Sequence, residues 1–320
     1  MRLEFRSRDT VREASTLSRG TRGIRTFRAL VVAGVMVAYA LAMLGSWTRI
    51  NGAGMSCPDW PLCHGAIVPV LHGGVVLEWL HRVLAVFESF VVAGLVTTGL
   101  QLRSKIPVLG GMLVALATVF VLQVLLGGAT IVLANSPLSV MIHLGAAMLL
   151  LAVLSSLAVV AFVYDSRHTA PAFARRGTAP LLIATGWAFA TMCAGAYVSA
   201  SGAGLACPSV PGCGPAFLGQ TIPQALQMTH RFFAAALVPF AIAAAALLPR
   251  SRRRATAALR IALVLLALQI ALGVLNALWS LPTELREAHA ANAIATFLAF
   301  VISTVVASLE PSKTAVPLNV

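Results

Sequence analysis

Apolar residues in this chain do not alternate with polar ones; they run on. Eight long stretches, roughly 29–48, 78–100, 107–127, 140–163, 180–199, 224–248, 257–278 and 287–308, are apolar nearly throughout. Each approaches or exceeds the ~20 residues a helix needs to cross a bilayer's hydrocarbon core. A membrane strand would alternate in polarity over about ten residues, and a soluble helix would show a single apolar stripe. The pattern therefore predicts an all-α integral membrane fold with eight transmembrane helices. Composition agrees: 59% of the 320 residues are hydrophobic and 10% charged, against the ~25% charged that a soluble surface requires.

A net charge of +13 raises the question of nucleic acid. The basic residues, however, sit in short segments between the apolar runs, which is a topology signal and argues against a nucleic-acid partner. Eight arginines precede residue 29, and further Lys and Arg follow runs two, four, six and eight, so all but four of the 23 lie on one side. That side is expected to be the cytoplasm, with both termini on it. The exceptions, Arg49, Arg82, Arg231 and Arg286, fall at the opposite ends of the helices and invite a functional reading. The basic start with Ala40 and Ala42 resembles a cleavable signal peptide, but cleavage would remove the first helix and break the repeat described next.

"NGAGMSCPDWPLCHG" (51–65) returns as "SGAGLACPSVPGCGP" (201–215), "LEWLHR" (77–82) as "LQMTHR" (226–231), and "LQVLLGGATIVLANS" (122–136) as "LQIALGVLNALWSLP" (268–282). His143 and His289 are offset like the last pair. Each half thus has four helices, an even number that returns the chain to its starting side. The expected architecture is two pseudo-symmetric parallel four-helix bundles. The expected division is a basic cytoplasmic tail (1–28), a first bundle (29–164), a cytoplasmic linker (165–178), a second bundle (179–309) and a C-terminal tail (310–320).

Four of the seven histidines belong to the repeat. His81 and His230 lie near the outer ends of the second helix of each half, His143 and His289 near the outer starts of the fourth. Ionisable groups within a membrane span are functional by default. Two imidazoles at matched depth on facing helices can supply both axial bonds of a haem iron, with Arg82 and Arg231 beside the propionates. Two other readings stay open: interhelical hydrogen bonds, and a metal site with Glu78 as a further ligand. His64, His72 and His168 have no repeat partners and read as ordinary loop residues.

Both outer loops carry C-x5-C with proline between. On the outer side a disulfide is permitted, so the spacing predicts Cys57–Cys63 and Cys207–Cys213. The bridges staple each loop over its bundle mouth; for Cys57–Cys63 a redox or substrate-handling role also stands. Cys193, within the fifth run, reads as a small core residue.

The halves also differ. Glu78 stands one helical turn before His81, whereas Gln227 holds that place in the second half. A carboxylate moves protons and an amide does not. The first loop has Asp59 and Trp60, and the second has neither. Chemistry is therefore expected in the first half, with the second a cofactor holder. Glu88, two turns beyond His81 on the same face, either extends a proton path or bonds a neighbouring helix in its neutral form.

"GAGMSCPDWPLCHG" followed by "EWLHR", with the paired loop cysteines and four histidines, resembles the haem A synthase family across about residues 28–308. The "SVPGC" loop departs from the family pattern. The resemblance implies oxidation of a methyl of haem O to a formyl group, a four-electron change giving haem A for terminal oxidases. It implies substrate haem near His81 and His143, Glu78 as the catalytic acid residue, and haem b on His230 and His289. Partners would be haem O synthase and an electron carrier such as quinone. The rival readings are a di-haem electron carrier without substrate chemistry, a transporter, and a disulfide-exchange protein. Oligomeric state, oxygen source and electron partner are left open.

Overall fold

The computed structural model describes residues 2–163, 178–215 and 217–310, with side chains described for 22–162, 178–215 and 217–310. His168, most of the expected linker and the tail beyond 310 lie outside the described residues. The described chain forms eight α-helices: α1 (Arg2–Ile50), α2 (Gly73–Leu102), α3 (Leu109–Val132), α4 (Pro137–Val163), α5 (Ala179–Ala200), α6 (Ile222–Leu247), α7 (Arg253–Leu278) and α8 (Thr283–Leu309). Each has a segment long and apolar enough to cross a membrane, that of α1 being Arg22–Ile50. The chain is a multi-pass membrane protein.

Most helices run past the apolar stretches that announce them. α2 begins at Gly73, five residues before its apolar stretch, and α8 at Thr283, four before. The extra residues of α8 include the polar Thr283, Glu284 and Arg286, whereas those of α2 open on Gly73 and Gly74, and neither kind is marked by a run of apolar residues. α1 continues unbroken through the expected N-terminal tail.

Helices pair as hairpins, α1 on α2, α3 on α4, α5 on α6 and α7 on α8. At the centre α4 and α8 contact each other and each contacts α1 and α5, and α4 and α8 are buried over the largest share of their length. By contrast, α6 and α7 barely touch. Outward faces keep large apolar side chains exposed, among them Phe90 (70%), Val114 (67%) and Val264 (69%). In water such faces would mark an interface; in lipid they are the solvated surface. With no hydrophobic force between helices in lipid, small residues permit the close approaches. A methyl on Gly34 of α1 would meet Leu154 of α4 at 3.2 Å and Leu95 of α2 at 3.5 Å, and one on Gly99 of α2 would meet Leu113 of α3 at 2.8 Å.

The connections α1–α2, α3–α4, α5–α6 and α7–α8 lie at one end, which the disulfides mark as the cysteine end. Opposite them, Arg28 donates to the Ala161 carbonyl (2.8 Å), and Glu310 accepts the backbone N–H of Arg254 (2.9 Å) at the start of α7. A carboxylate there satisfies helix N-terminal donors.

Candidate functional site

All four repeat histidines face a glycine on the preceding helix. A β-carbon placed on Gly45 (α1) would stand 3.1 Å from Cε1 of His81, and one on Gly127 (α3) 3.2 Å from His143. In the second half the distances are 2.8 Å from Gly195 (α5) to His230 and 3.1 Å from Gly273 (α7) to His289. Each hairpin therefore has one histidine on its second helix and a seat for the ring on its first. These glycines are functional positions that pattern reading misses. Their signal was present, because Gly45/Gly195 and Gly127/Gly273 share the repeat's two offsets.

The rings differ in their further partners. His230 Nδ1–H donates to the Thr191 carbonyl at 3.2 Å, which leaves the lone pair of Nε2 for a ligand. Beside His289, Gln269 Nε2 lies 3.1 Å from Nε2 and 3.3 Å from Nδ1. Asn292 holds that glutamine, donating to its Oε1 at 2.8 Å. In the first half, Nδ1 of His81 and of His143 are buried with no hydrogen-bond partner, as is Oε1 of Gln123, whose Nε2 lies 3.5 Å from Nε2 of His143. Among the described residues no three of His, Cys, Asp and Glu gather as a metal cluster, so the alternative of a metal site with Glu78 as a further ligand lacks a ligand set. Each of the four imidazoles is seated where a β-carbon would intrude, and His81, His143 and His230 each keep a ring nitrogen without a protein partner; two such histidines in a half suit axial ligation of a haem iron.

At the cysteine end, Cys57 is bonded to Cys63 and Cys207 to Cys213. Both loops contain a cis X–Pro bond, Trp60–Pro61 and Val210–Pro211. Arg82 donates to the carbonyls of Asp59 (2.6 Å), Cys57 (3.1 Å) and Leu62. Arg231 donates to those of Ser209 (2.6 Å), Cys207 (2.6 Å) and Gly212 (2.9 Å). The guanidinium Nη groups expected at haem propionates are thus engaged in holding the loops. Five donors in a fixed fork suit that task.

Glu78 is buried at 6% exposure. Its Oε2 accepts the Cys57 N–H (2.9 Å), and its Oε1 pairs with Arg82 (2.7 Å). Gln227 accepts the Cys207 N–H (2.6 Å) with its own oxygen and donates to the Gly204 carbonyl (2.8 Å). Both halves therefore need an acceptor here for the loop; the negative charge belongs to the first half alone.

Asp59 accepts the N–H of Gly65 (2.8 Å) and of His64 (2.6 Å). Those bonds, that of Gly65 first, hold its pKa below the ordinary aspartate value. Ser209 closes the second loop in the same way, accepting the Gly214 N–H at 2.6 Å. Asp59 is thus a turn-closing residue whose role a serine also performs. Trp60 does set the loops apart. Its indole lies over Gly128 of α3, where a β-carbon would be 3.0 Å away, and the loop meets the α3–α4 connection through Asn135, which donates to the Gly54 carbonyl (2.7 Å). His64 is held to the Ser56 carbonyl (2.9 Å), His72 precedes α2, and Cys193 is a free thiol facing Gly145 of α4.

The chain is similar to known proteins over most of its length. Over 277 residues the chain is 28% identical to the protein named Heme A synthase of Bacillus licheniformis, covering 82% of this chain and 91% of that one. Over 266 residues it is 29% identical to the Heme A synthase of Geobacillus kaustophilus (79% and 84%). A 67-residue segment is 36% identical to that of Symbiobacterium thermophilum. The sequence profile of COX15-CtaA, described as cytochrome oxidase assembly protein, matches residues 28–301. With histidine seats, disulfide loops and that match spanning nearly the whole chain, the protein belongs to the COX15-CtaA family.

Proposed function

We propose that the chain is a haem A synthase, an oxidoreductase that converts a methyl substituent of haem O to a formyl group and so yields haem A for terminal oxidases. Family membership and relatives of that name support this reading. The observation that carries it to the site is the repeated seat, an imidazole against a glycine four times over, combined with polar surroundings that differ between halves. A plain di-haem carrier would need no such difference.

The fold is read as two pseudo-symmetric parallel four-helix bundles, α1–α4 and α5–α8. Both termini are cytoplasmic and the cysteine loops extracytoplasmic. The distribution of Lys and Arg supports this orientation. His81 and His143 hold substrate haem O in the first half. His230 and His289 hold haem b in the second, with the Thr191 carbonyl fixing His230 and Gln269 beside His289.

Haem b, when bound, supplies one-electron transfer. Glu78 takes up protons at Oε1 as the methyl is oxidised, while the loop carbonyls keep Arg82 in place as the carboxyl changes charge. Trp60 and the stapled loop cover the first bundle's mouth and limit water. The loop clamp formed by Arg82 and Arg231 leaves propionate pairing to their remaining donors. Haem O synthase supplies the substrate, and a quinone or similar membrane carrier takes electrons.

Pigment extraction with mass measurement tests the proposal. One firmly held haem b and one exchangeable haem of type O or A are expected per chain, and His230→Ala should remove the haem b. Two equivalent, non-exchanging haem b groups would mean an electron carrier.

A further inference from the structure

Glu88 of α2 is fully buried, and neither carboxyl oxygen has a hydrogen-bond partner. It bonds no neighbouring helix, and a carboxyl left so within a membrane span is costly unless a ligand completes it. Glu88 belongs to a stripe of buried positions, Glu88, Val92, Leu95 and Gly99, and His81 lies two turns away on the same face. At one end of that stripe His81 meets Gly45 of α1, and at the other Leu95 adjoins Gly34 of α1 beside Leu154 of α4. The stripe thus faces the interior of the first half. At the matching place in the second half, seven residues beyond His230, stands Leu237, also buried at 4% exposure. One bundle presents an unsatisfied carboxyl where its counterpart presents an isobutyl group.

We propose that Glu88 is a specificity-determining residue that recognises the hydroxyl of the substrate's hydroxyalkyl side chain. The inference rests on the assignment of haem O to the first half and haem b to the second. Those two porphyrins differ by a hydroxyethylfarnesyl group in one where the other has a vinyl. A hydroxyl both donates and accepts, so it can satisfy a carboxyl; a vinyl suits a leucine. With propionates towards the cysteine end, the opposite rim of the macrocycle carries these substituents. That rim points along α2 towards Glu88, about 10 Å of helix from His81. The contact is a hydrogen bond and no covalent bond changes.

The test compares wild type with Glu88→Leu, Glu88→Met and Glu88→Gln, each purified with its second-half haem, whose spectrum reports correct folding. Difference-spectral titration with haem O and with haem b gives the first-half preference, and mass analysis gives the haem retained. The apolar variants should lose about tenfold of the preference for haem O, the worth of one hydrogen bond. Glu88→Gln should keep most of it, because an amide still bonds a hydroxyl. Either folded apolar variant with wild-type preference overturns the proposal, as does slower turnover at unchanged preference. If wild type itself shows no preference for haem O, the haem A synthase reading fails instead.

Discussion

In the second half, Asn292 donates to Gln269, Gln269 turns its amide nitrogen to His289, and His230 donates to the Thr191 carbonyl. In the first half Ala146 replaces Asn292, Gln123 Oε1 has no partner, and neither His81 nor His143 has one at Nδ1. The glycine seats are common to both. Around the histidines, then, the polar partners are in place in one half and missing in the other. Fully satisfied buried networks rigidify, which suits a resident cofactor. Unmet polar atoms suit a group that arrives, reacts and leaves, since the missing partners are then supplied by the visitor.

Glu78→Gln breaks this comparison hardest, because it gives the first half the residue the second already uses. The Cys57 N–H keeps an acceptor, as Gln227 shows for Cys207. Fold and haem content should therefore survive, while haem A formation falls about a hundredfold or more for want of the proton-transferring group. Haem A assayed in membranes checks this. Unchanged formation would remove Glu78 from the chemistry and leave it a loop clamp.

Alanine at the seats acts next. Gly195→Ala places a β-carbon 2.8 Å from the His230 ring and Gly45→Ala one 3.1 Å from that of His81. Overpacking of this kind costs about 1–3 kcal/mol. The first substitution should disturb the second-half haem spectrum alone, and the second should weaken substrate haem uptake alone. If both spectra change equally in either variant, the halves do not bind separately.

Helix number, the four histidines and the cysteine pairs were legible because long apolar runs and a 150-residue repeat need no three-dimensional information. The seats were not, although Gly45 and Gly195 align, because a glycine in a membrane helix has many uses and only packing shows which ring it faces. Arg82 and Arg231 were legible as functional but not in their role. Sequence places a guanidinium near the helix end and cannot show a loop folding back to offer it carbonyls. The equivalence of Asp59 and Ser209 was hidden for a related reason: a carboxylate and a hydroxyl look different in a motif and act alike when both merely accept an N–H.

Asn292→Ala converts the second half's network into the first half's composition. Loss of one buried hydrogen bond to Gln269 should cost about 1 kcal/mol and loosen His289. Exchange of the second-half haem into a competing haem-binding protein should then speed up by about fivefold or more, moving towards the first half's behaviour. An exchange rate equal to wild type would show that the Asn292–Gln269 pair does not hold the ligand.

The smallest effect separates the two loops by pH. The pKa of Asp59 is lowered in the fold, mainly by the Gly65 N–H, so its contribution is fully present above the unfolded aspartate value, about 3.9. It is lost as pH falls from there through the lower folded value. Ser209 has no charge to lose. Hydrogen exchange at the His64 and Gly65 amides should therefore show extra opening as pH drops below about 4, beyond the intrinsic pH dependence of exchange, while Gly214 in the second loop shows none. Asp59→Ser should abolish the difference. If Gly214 opened in parallel, acid would be acting on the bundles rather than on the turn, and the two loops would lose the distinction drawn from their closing residues.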